Sequence, residues 1–537
     1  MIGTAHSGTR AAIWLICLLT LAGGALRAWS VAAHVAVDYD EGRYLDNARN
    51  ILEGRGLSTH YTSHYFRRAA PFHREDISSP LYPWLLAGTF RLTGVELRPA
   101  QIWSWLAGTA LIPLTFLLGR RVFGEAAGMV GAGLVALNPD MIIISSWAMT
   151  EMIYAVMLLA TLLLADASGA SSSRMHPARP LLLGIACGAI YLMRANGLAV
   201  AAACGLWCLW PAVGEPWRSG SLMRRRLLSV LALAVGFLAC VSPWLARNQA
   251  LFGSPTWSAM KYVAWTESGT DLFTRDAPAR TMESFAAEHG PGGLARHMTH
   301  RAGRAVGYLI WGDTGAFNII CVFFPLAAVL VWSLPRARPG LYAVVFSALL
   351  LVGVPLWTGA LSRYLLPARP VIYLVVAGAV FALLGRLSGR AAAIAGALVL
   401  AVGVASAAPL RVWLGNDQAA RDAVCRDAAA WIAREMPPDA VLMEGALLHQ
   451  YAFLFDRSVI WAPTGGLGEI DRAATDYGAR HIAVSAELLG TRPELRSVFD
   501  LGAGREVIPR QLPAGWSELY ATRGRRIAIF HMTPVAP

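Results

Sequence analysis

Residues 11–33 read Ala-Ala-Ile-Trp-Leu-Ile-Cys-Leu-Leu-Thr-Leu-Ala-Gly-Gly-Ala-Leu-Arg-Ala-Trp-Ser-Val-Ala-Ala, and Asp38-Tyr39-Asp40-Glu41-Gly42-Arg43-Tyr44 follows soon after. The first stretch is long enough, at 1.5 Å per helical residue, to span about 30 Å of hydrocarbon. Ala-Leu-Arg near its end is a weak cleavage site, so the stretch is read as a retained transmembrane helix. The second stretch places an acidic pair, Asp40-Glu41, where membrane gives way to water.

The rest of the chain extends that reading. Of 537 residues, 56% are hydrophobic and only 15% charged, against about 25% charged in soluble domains. Mean hydropathy is +0.47. Apolar windows predict eleven spans, at approximately 11–33, 100–119, 126–145, 149–165, 181–195, 197–213, 227–246, 306–334, 340–358, 365–385 and 391–409. The net charge of +12 is almost all arginine, with Lys261 the only lysine. Much of it lies in short gaps: Arg10, Arg120 and Arg121, Arg174 and Arg179, Arg218 with Arg224 to Arg226, Arg336 and Arg338, Arg386 and Arg390. That is the pattern of cytoplasmic loops, not a basic face interleaved with aromatics, so a nucleic-acid partner is excluded. The long loops 34–99 and 247–305 and the tail then fall outside. The seven cysteines lie mostly in apolar stretches and form neither a disulfide framework nor a zinc pattern.

Within the first outer loop, Tyr44, Leu45, Ala48, Ile51 and Leu52 make a helical stripe ended by Gly54-Arg55-Gly56. Pro80 to Leu92 reads as a second interfacial or re-entrant helix. The tail reads as a small α/β domain. Helices are expected at 422–435 and 467–477, and strands at 441–443, 459–461, 481–484 and 527–530. The expected architecture is therefore an α-helical polytopic membrane domain, 1–409, and an extracytoplasmic α/β domain, 410–537.

Carboxylates at such a boundary have three uses. One is a general base; another is a pair holding a divalent cation against a phosphate; the third is a helix cap. Asp40 and Glu41 are candidates for all three, and the metal requirement stays open. Glu151 stands at the start of an apolar stretch, where an ionisable group is costly and tends to face a polar cavity. Arg194, Arg247 and Arg363 fall at outer ends of helices, against the charge bias. There a guanidinium can bind a lipid phosphate bidentately, or snorkel to the headgroups. His60, His64 and His73 fit no compact zinc spacing and read as surface residues. Trp103 and Trp105 read as interfacial belt residues.

The ordered set of motifs carries a resemblance. Asp40-Glu41-Gly42-Arg43-Tyr44, Ala48-Arg49, Gly54-Arg55-Gly56 and Pro80-Leu81-Tyr82-Pro83-Trp84-Leu85 resemble the opening of the GT-C membrane glycosyltransferases. The resemblance is to the glycosyltransferase family 39-like branch, which contains protein O-mannosyltransferases and the lipid A aminoarabinose transferase. Asn138-Pro139 with Met149-Thr150-Glu151, Arg194-Ala195-Asn196-Gly197, Pro243-Trp244 with Arg247-Asn248, and Ser362-Arg363-Tyr364-Leu365-Leu366-Pro367 continue it over about residues 11–385. It implies inverting transfer of a sugar from a polyprenyl phosphate to a lipid, glycan or protein acceptor at the outer membrane face. Asp40 would match the catalytic aspartate and Glu151 the second acidic residue of the cavity. Arg43 would match an arginine contacting donor phosphate, with Arg363, Tyr364, Arg247 and Arg194 as further phosphate ligands. Ser78 stands where that branch has a lysine, so one phosphate contact must come from elsewhere. The rival reading is a transporter or flippase of a lipid-linked envelope intermediate; it calls for repeats and interrupted midplane helices, and neither is evident.

Overall fold

The computed structural model describes residues 3–62, 64–65, 69–168, 178–209, 220–267, 270–311, 319–333, 362–384, 396–397 and 418–533. Among them, four helical stretches are long and apolar enough to cross a bilayer: Arg10–Ala33, Leu97–Val122, Leu222–Phe252 and Arg363–Leu384. Shorter apolar helices, Glu125–Leu137, Glu151–Ala165, Ala178–Met193 and Gly197–Leu209, pack among them. We label the helices in chain order: α1 (Gly3–Ala33), α2 (Tyr39–Leu52), α3 (Leu81–Thr93), α4 (Leu97–Val122), α5 (Glu125–Leu137), α6 (Pro139–Ile144), α7 (Glu151–Ser168), α8 (Ala178–Met193), α9 (Gly197–Leu209) and α10 (Gly220–Phe252). The spans expected at 340–358 and 391–409, and the domain boundary at 409/410, fall on or largely on residues outside those described.

Small residues set the packing. A Cβ on Gly119 would lie 2.5 Å from the Cα of Gly128, and one on Gly128 would lie 2.7 Å from the carbonyl oxygen of Phe116. So α4 and α5 approach backbone to backbone, as membrane helices do where van der Waals contact drives association. The helix Arg369–Leu384 is buried along most of its length. By contrast, α10 turns Leu227, Leu228, Leu231, Val235 and Leu238 outward, and α1 exposes Trp14, Leu18 and Leu21. An apolar rim around a packed interior is what a lipid solvent selects.

One expected span is interrupted. Residues 126–145 are not one helix. Asn138 leaves the helical region (φ −67°, ψ 123°), and its side chain accepts the Met141 N–H to start α6. Pro139 has no N–H to offer the preceding turn. Within 306–334 the described residues are the end of the helix Met282–Trp311, itself kinked at Gly290 (φ 68°) before Pro291, then the short helix Ile319–Val322 and the helix Phe324–Ser333, while 312–318 lie outside those described. Pro325 fixes the start of the last of these helices.

The segment after α1 forms helices α2 and α3 where the sequence places them, and positive φ at Gly54 (78°) and Gly56 (68°) turns the chain after α2. Strands are β1 (Ser58–Thr59), β2 (Tyr61–Thr62), β3 (His73–Arg74), β4 (Val441–Glu444), β5 (Ser458–Trp461), β6 (Ala479–Ser485), β7 (Phe499–Leu501), β8 (Val507–Pro509), β9 (Ser517–Ala521) and β10 (Ile527–His531). The tail sheet has the order β2-β5-β4-β6-β10-β9, parallel from β2 to β6 and antiparallel thereafter. Its helices Gln418–Glu435 and Leu467–Tyr477 match the sequence reading. The edge strand β2 is not from the tail: it belongs to the first outer loop, with Tyr61 opposite Val459 and Thr62 opposite Ile460. The second outer loop docks on the same domain. Phe273 stacks on Trp461 at 4.5 Å, and Arg275 pairs with Glu469 and Asp476.

Candidate active site

The acidic segment begins α2 with a side-chain cap from Glu41. The Asp38 backbone carbonyl accepts the N–H of Glu41 and Gly42, and the Glu41 carboxylate reaches back to accept the Asp38 N–H at 2.6 Å, the reaching-back half of a capping box. The same Glu41 carboxylate accepts the Ala148 N–H at 2.6 Å and meets His34 Nε2 at 2.9 Å. It is completely buried. Glu41 therefore ties the end of α1, the start of α2 and the turn between α6 and α7 into one unit.

Asp40, one residue earlier, points the other way. Its carboxylate is half-buried and ion-paired to Arg363. Arg363 leads the turn Ser362–Leu365, and its Nε lies 4.0 Å from Glu151 Oε1. Glu151 opens α7 and is bound by Arg194 Nη1 at 2.6 Å; the same nitrogen donates to Thr150 Oγ1 at 3.1 Å. The Tyr364 ring lies under the Arg194 guanidinium, 4.6 Å from ring centroid to Cζ. Glu151 Oε2, Arg363 Nε and the Tyr154 hydroxyl are buried with no hydrogen-bond partner among the described residues. Together Asp40, Glu151, Arg194, Arg363 and Tyr364 form a cluster of two carboxylates and two guanidiniums, drawn from four separate stretches of sequence. Asp40 and Glu41 engage different partners and do not converge on one point, as a cation held by the pair would require.

Tyr44, one turn along α2, joins the cluster. Its phenol is pushed up by burial and sits in the fields of Arg194, Asp40 and Glu151, so it remains a protonated hydrogen-bond donor. Its ring meets Tyr82 edge-on at 5.0 Å.

Arg43 and Arg247 form a neighbouring group centred on Glu75. Arg43 donates to the Tyr61 hydroxyl at 2.9 Å and to Glu75 at 3.3 Å. Burial would depress its guanidinium, but Tyr61, Glu75 and Asp40 outweigh that and hold it above its ordinary value. Glu75 also accepts Asn47 at 3.0 Å and the N–H groups of Ile77 and Ser78. Arg247 donates to the backbone carbonyls of Glu75 and Leu57, and its guanidinium covers Trp244. Glu75 and Tyr61 carried no signal in the sequence, because both lie in an irregular loop without periodicity.

The histidine readings divide. His60 is not a surface residue: it is buried, bonded to Asp46 at 2.7 Å and to Asp456 at 3.0 Å. Its position next to β2, at the seam with the tail sheet, encloses it. His73 keeps partial exposure in β3.

Comparisons with known proteins bear on this arrangement. Residues 77–246, about a third of the chain, match the dolichyl-phosphate-mannose-protein mannosyltransferase family. No curated protein matches the chain in sequence. Among solved structures, ArnT from Cupriavidus metallidurans bound to undecaprenyl phosphate is similar at 16% identity and a TM-score of 0.56, covering 97% of each chain. The oligosaccharyltransferase AglB from Archaeoglobus fulgidus, in complex with an inhibitory peptide and a dolichol-phosphate, is similar at 13% identity and a TM-score of 0.57. That likeness covers 94% of this chain and 75% of AglB. These likenesses show the fold. The chain shares the helical fold of these proteins, with four helical stretches among the described residues long and apolar enough to cross a bilayer, and carries a small C-terminal α/β region.

Proposed function

We propose that the chain is a glycosyltransferase that moves a sugar from a polyprenyl phosphate carrier to an acceptor at the extracytoplasmic face of the cytoplasmic membrane. The family match, together with similarity to proteins solved with undecaprenyl phosphate and dolichol-phosphate, supports a lipid-linked donor. The observation that carries the reading is the convergence of Asp40 and Glu151 on Arg363, backed by Arg194 and Tyr364.

The chemistry follows from those groups. The acceptor hydroxyl or amine gives its proton to Asp40 as its heteroatom bonds to the anomeric carbon. The bond from that carbon to the phosphate oxygen breaks on the opposite side, and its electron pair leaves on the polyprenyl phosphate. One displacement inverts the anomeric centre. Arg363 and Arg194 meet the charge developing on the phosphate, where a preorganised guanidinium stabilises the transition state. Glu151 holds both arginines in place. Arg43 and Arg247, gathered by Glu75, shape the adjoining wall, and Glu41 fixes the backbone that aims Asp40. The arginine-rich short gaps support the assigned orientation.

The test is Asp40→Asn in purified full-length protein supplied with a polyprenyl-phosphate sugar. A general base contributes about 10²–10⁴ in rate, so transfer should fall by roughly that factor. Unchanged transfer would overturn the assignment of Asp40.

A further inference from the structure

Resting on that reading, we infer that Arg363 is shared in turn by Asp40 and the carrier phosphate, so that donor binding is what releases the base. As the protein stands, the Asp40 carboxylate is neutralised by Arg363. In that contact the carboxylate oxygen is occupied by the guanidinium and is not open to a hydrogen bond from an acceptor. Glu151 is the less accessible carboxylate: it is buried, with Oε1 bound by Arg194 at 2.6 Å, while Arg363 Nε stands 4.0 Å from it without a hydrogen bond. Among the described residues, Arg363 Nε is therefore an unspent donor 4.0 Å from Glu151, and its close ion pair is with Asp40.

The phosphodiester of a sugar-loaded carrier arriving there, a monoanion, offers the guanidinium a second bidentate partner, and the carrier phosphate released after transfer can hold a further charge against it. Arg363 can pivot to it without leaving the cluster, since Glu151 lies behind it and the Tyr364 ring beside it. Asp40 is then left beside Arg43 and Tyr44, whose fields it also feels, but without its direct counter-ion. Its oxygen is then open to an acceptor hydroxyl or amine, next to the newly seated donor. The acceptor proton has a taker only once a sugar carrier is in place, and the order of binding is donor first.

The arrangement has a signature that a purely structural ion pair lacks. Removing the Asp40 charge removes the competitor for Arg363, so the carrier phosphate should bind more tightly as transfer is lost. The experiment measures undecaprenyl phosphate binding to full-length protein in nanodiscs, for wild type, Asp40→Asn, Arg363→Gln and the double variant. Melting temperatures would verify that each is folded. Asp40→Asn should bind roughly tenfold more tightly than wild type, the scale of one released ionic contact. Arg363→Gln should bind more weakly, and Asp40→Asn should add nothing in the Arg363→Gln background. Equal or weaker binding by Asp40→Asn overturns the exchange while leaving a lipid-phosphate donor intact, as does the same tightening without Arg363. Absence of binding by both wild type and Asp40→Asn overturns the donor assignment itself, and the exchange with it.

Discussion

Arg369 and Asp140 show most plainly what single residues do in this molecule. Both side chains are completely buried and ion-paired, Asn138 stands beside the guanidinium, and Asn138 Nδ2 donates to the Tyr373 hydroxyl at 3.0 Å. Such a pair adds little net stability, but breaking it strands a charge in a medium that cannot solvate it. Asp140→Asn should therefore destabilise the protein by about 3–5 kcal/mol, read as a fall in melting temperature in detergent. The sequence held a partial clue, the Asn-Pro-Asp turn after an apolar run. Arg369 was hidden because a basic residue opening an apolar helix looks like any snorkelling arginine. Asp40, Glu151, Arg194 and Arg363 were legible for the opposite reason: each is an ionisable group at a helix end. Their grouping was not legible, since Arg363 lies 323 residues from Asp40. Nor could sequence separate Asp40 from Glu41. Which adjacent carboxylate caps the helix and which faces the cluster depends on backbone N–H groups supplied by Asp38 and Ala148.

At the scale of elements, α2 is held from behind by the tail domain. The Val37 N–H meets the Tyr451 hydroxyl at 3.2 Å, Arg49 donates to the Phe453 carbonyl, and Arg55 pairs with Asp456 at 2.8 Å. The closest approach is at Gly42, where an added Cβ would lie 2.3 Å from the backbone oxygen of Gln450. Backbone cannot yield as a side chain tip can, so Gly42→Ala should cost about 1–3 kcal/mol. Because Asp40 precedes it on the same turn, catalytic turnover should drop as well, measured as kcat in the folded fraction. The seam also carries a pH response. Burial lowers His60, but Asp46 and Asp456 raise it further, leaving it above its ordinary value. A group raised on folding contributes stability that is complete below its unfolded pKa, about 6.5, and is lost as pH rises through the folded value. Melting temperature should thus decline on the alkaline side of about 6.5, and His60→Gln should flatten that limb. Asp456, held low by Arg49, Arg55 and His60 against its burial, works in the other direction: its contribution is lost as pH falls through its folded value.

For the whole molecule, the sequence foretold an apolar helical body and a small C-terminal α/β region, because apolar windows and alternating short strands are local signals. It did not foretell that the loop after α1 joins the tail sheet. β2 pairs with β5 across nearly 400 residues, and a two-residue edge strand has too little periodicity to be seen. The second loop adds Phe273 on Trp461, with Arg275 reaching Glu469 and Asp476. A chain ending at residue 409 should consequently leave the first outer loop without its sheet partner. Limited proteolysis from the outer face should then cut between residues 53 and 80, where the full chain resists. The direct test is an experimental structure of the full chain with undecaprenyl phosphate bound. Phosphate density within hydrogen-bond distance of Arg363, in the space bounded by Asp40 and Glu151, is the outcome expected; phosphate seated elsewhere, with the Asp40–Arg363 pair undisturbed, would contradict the account.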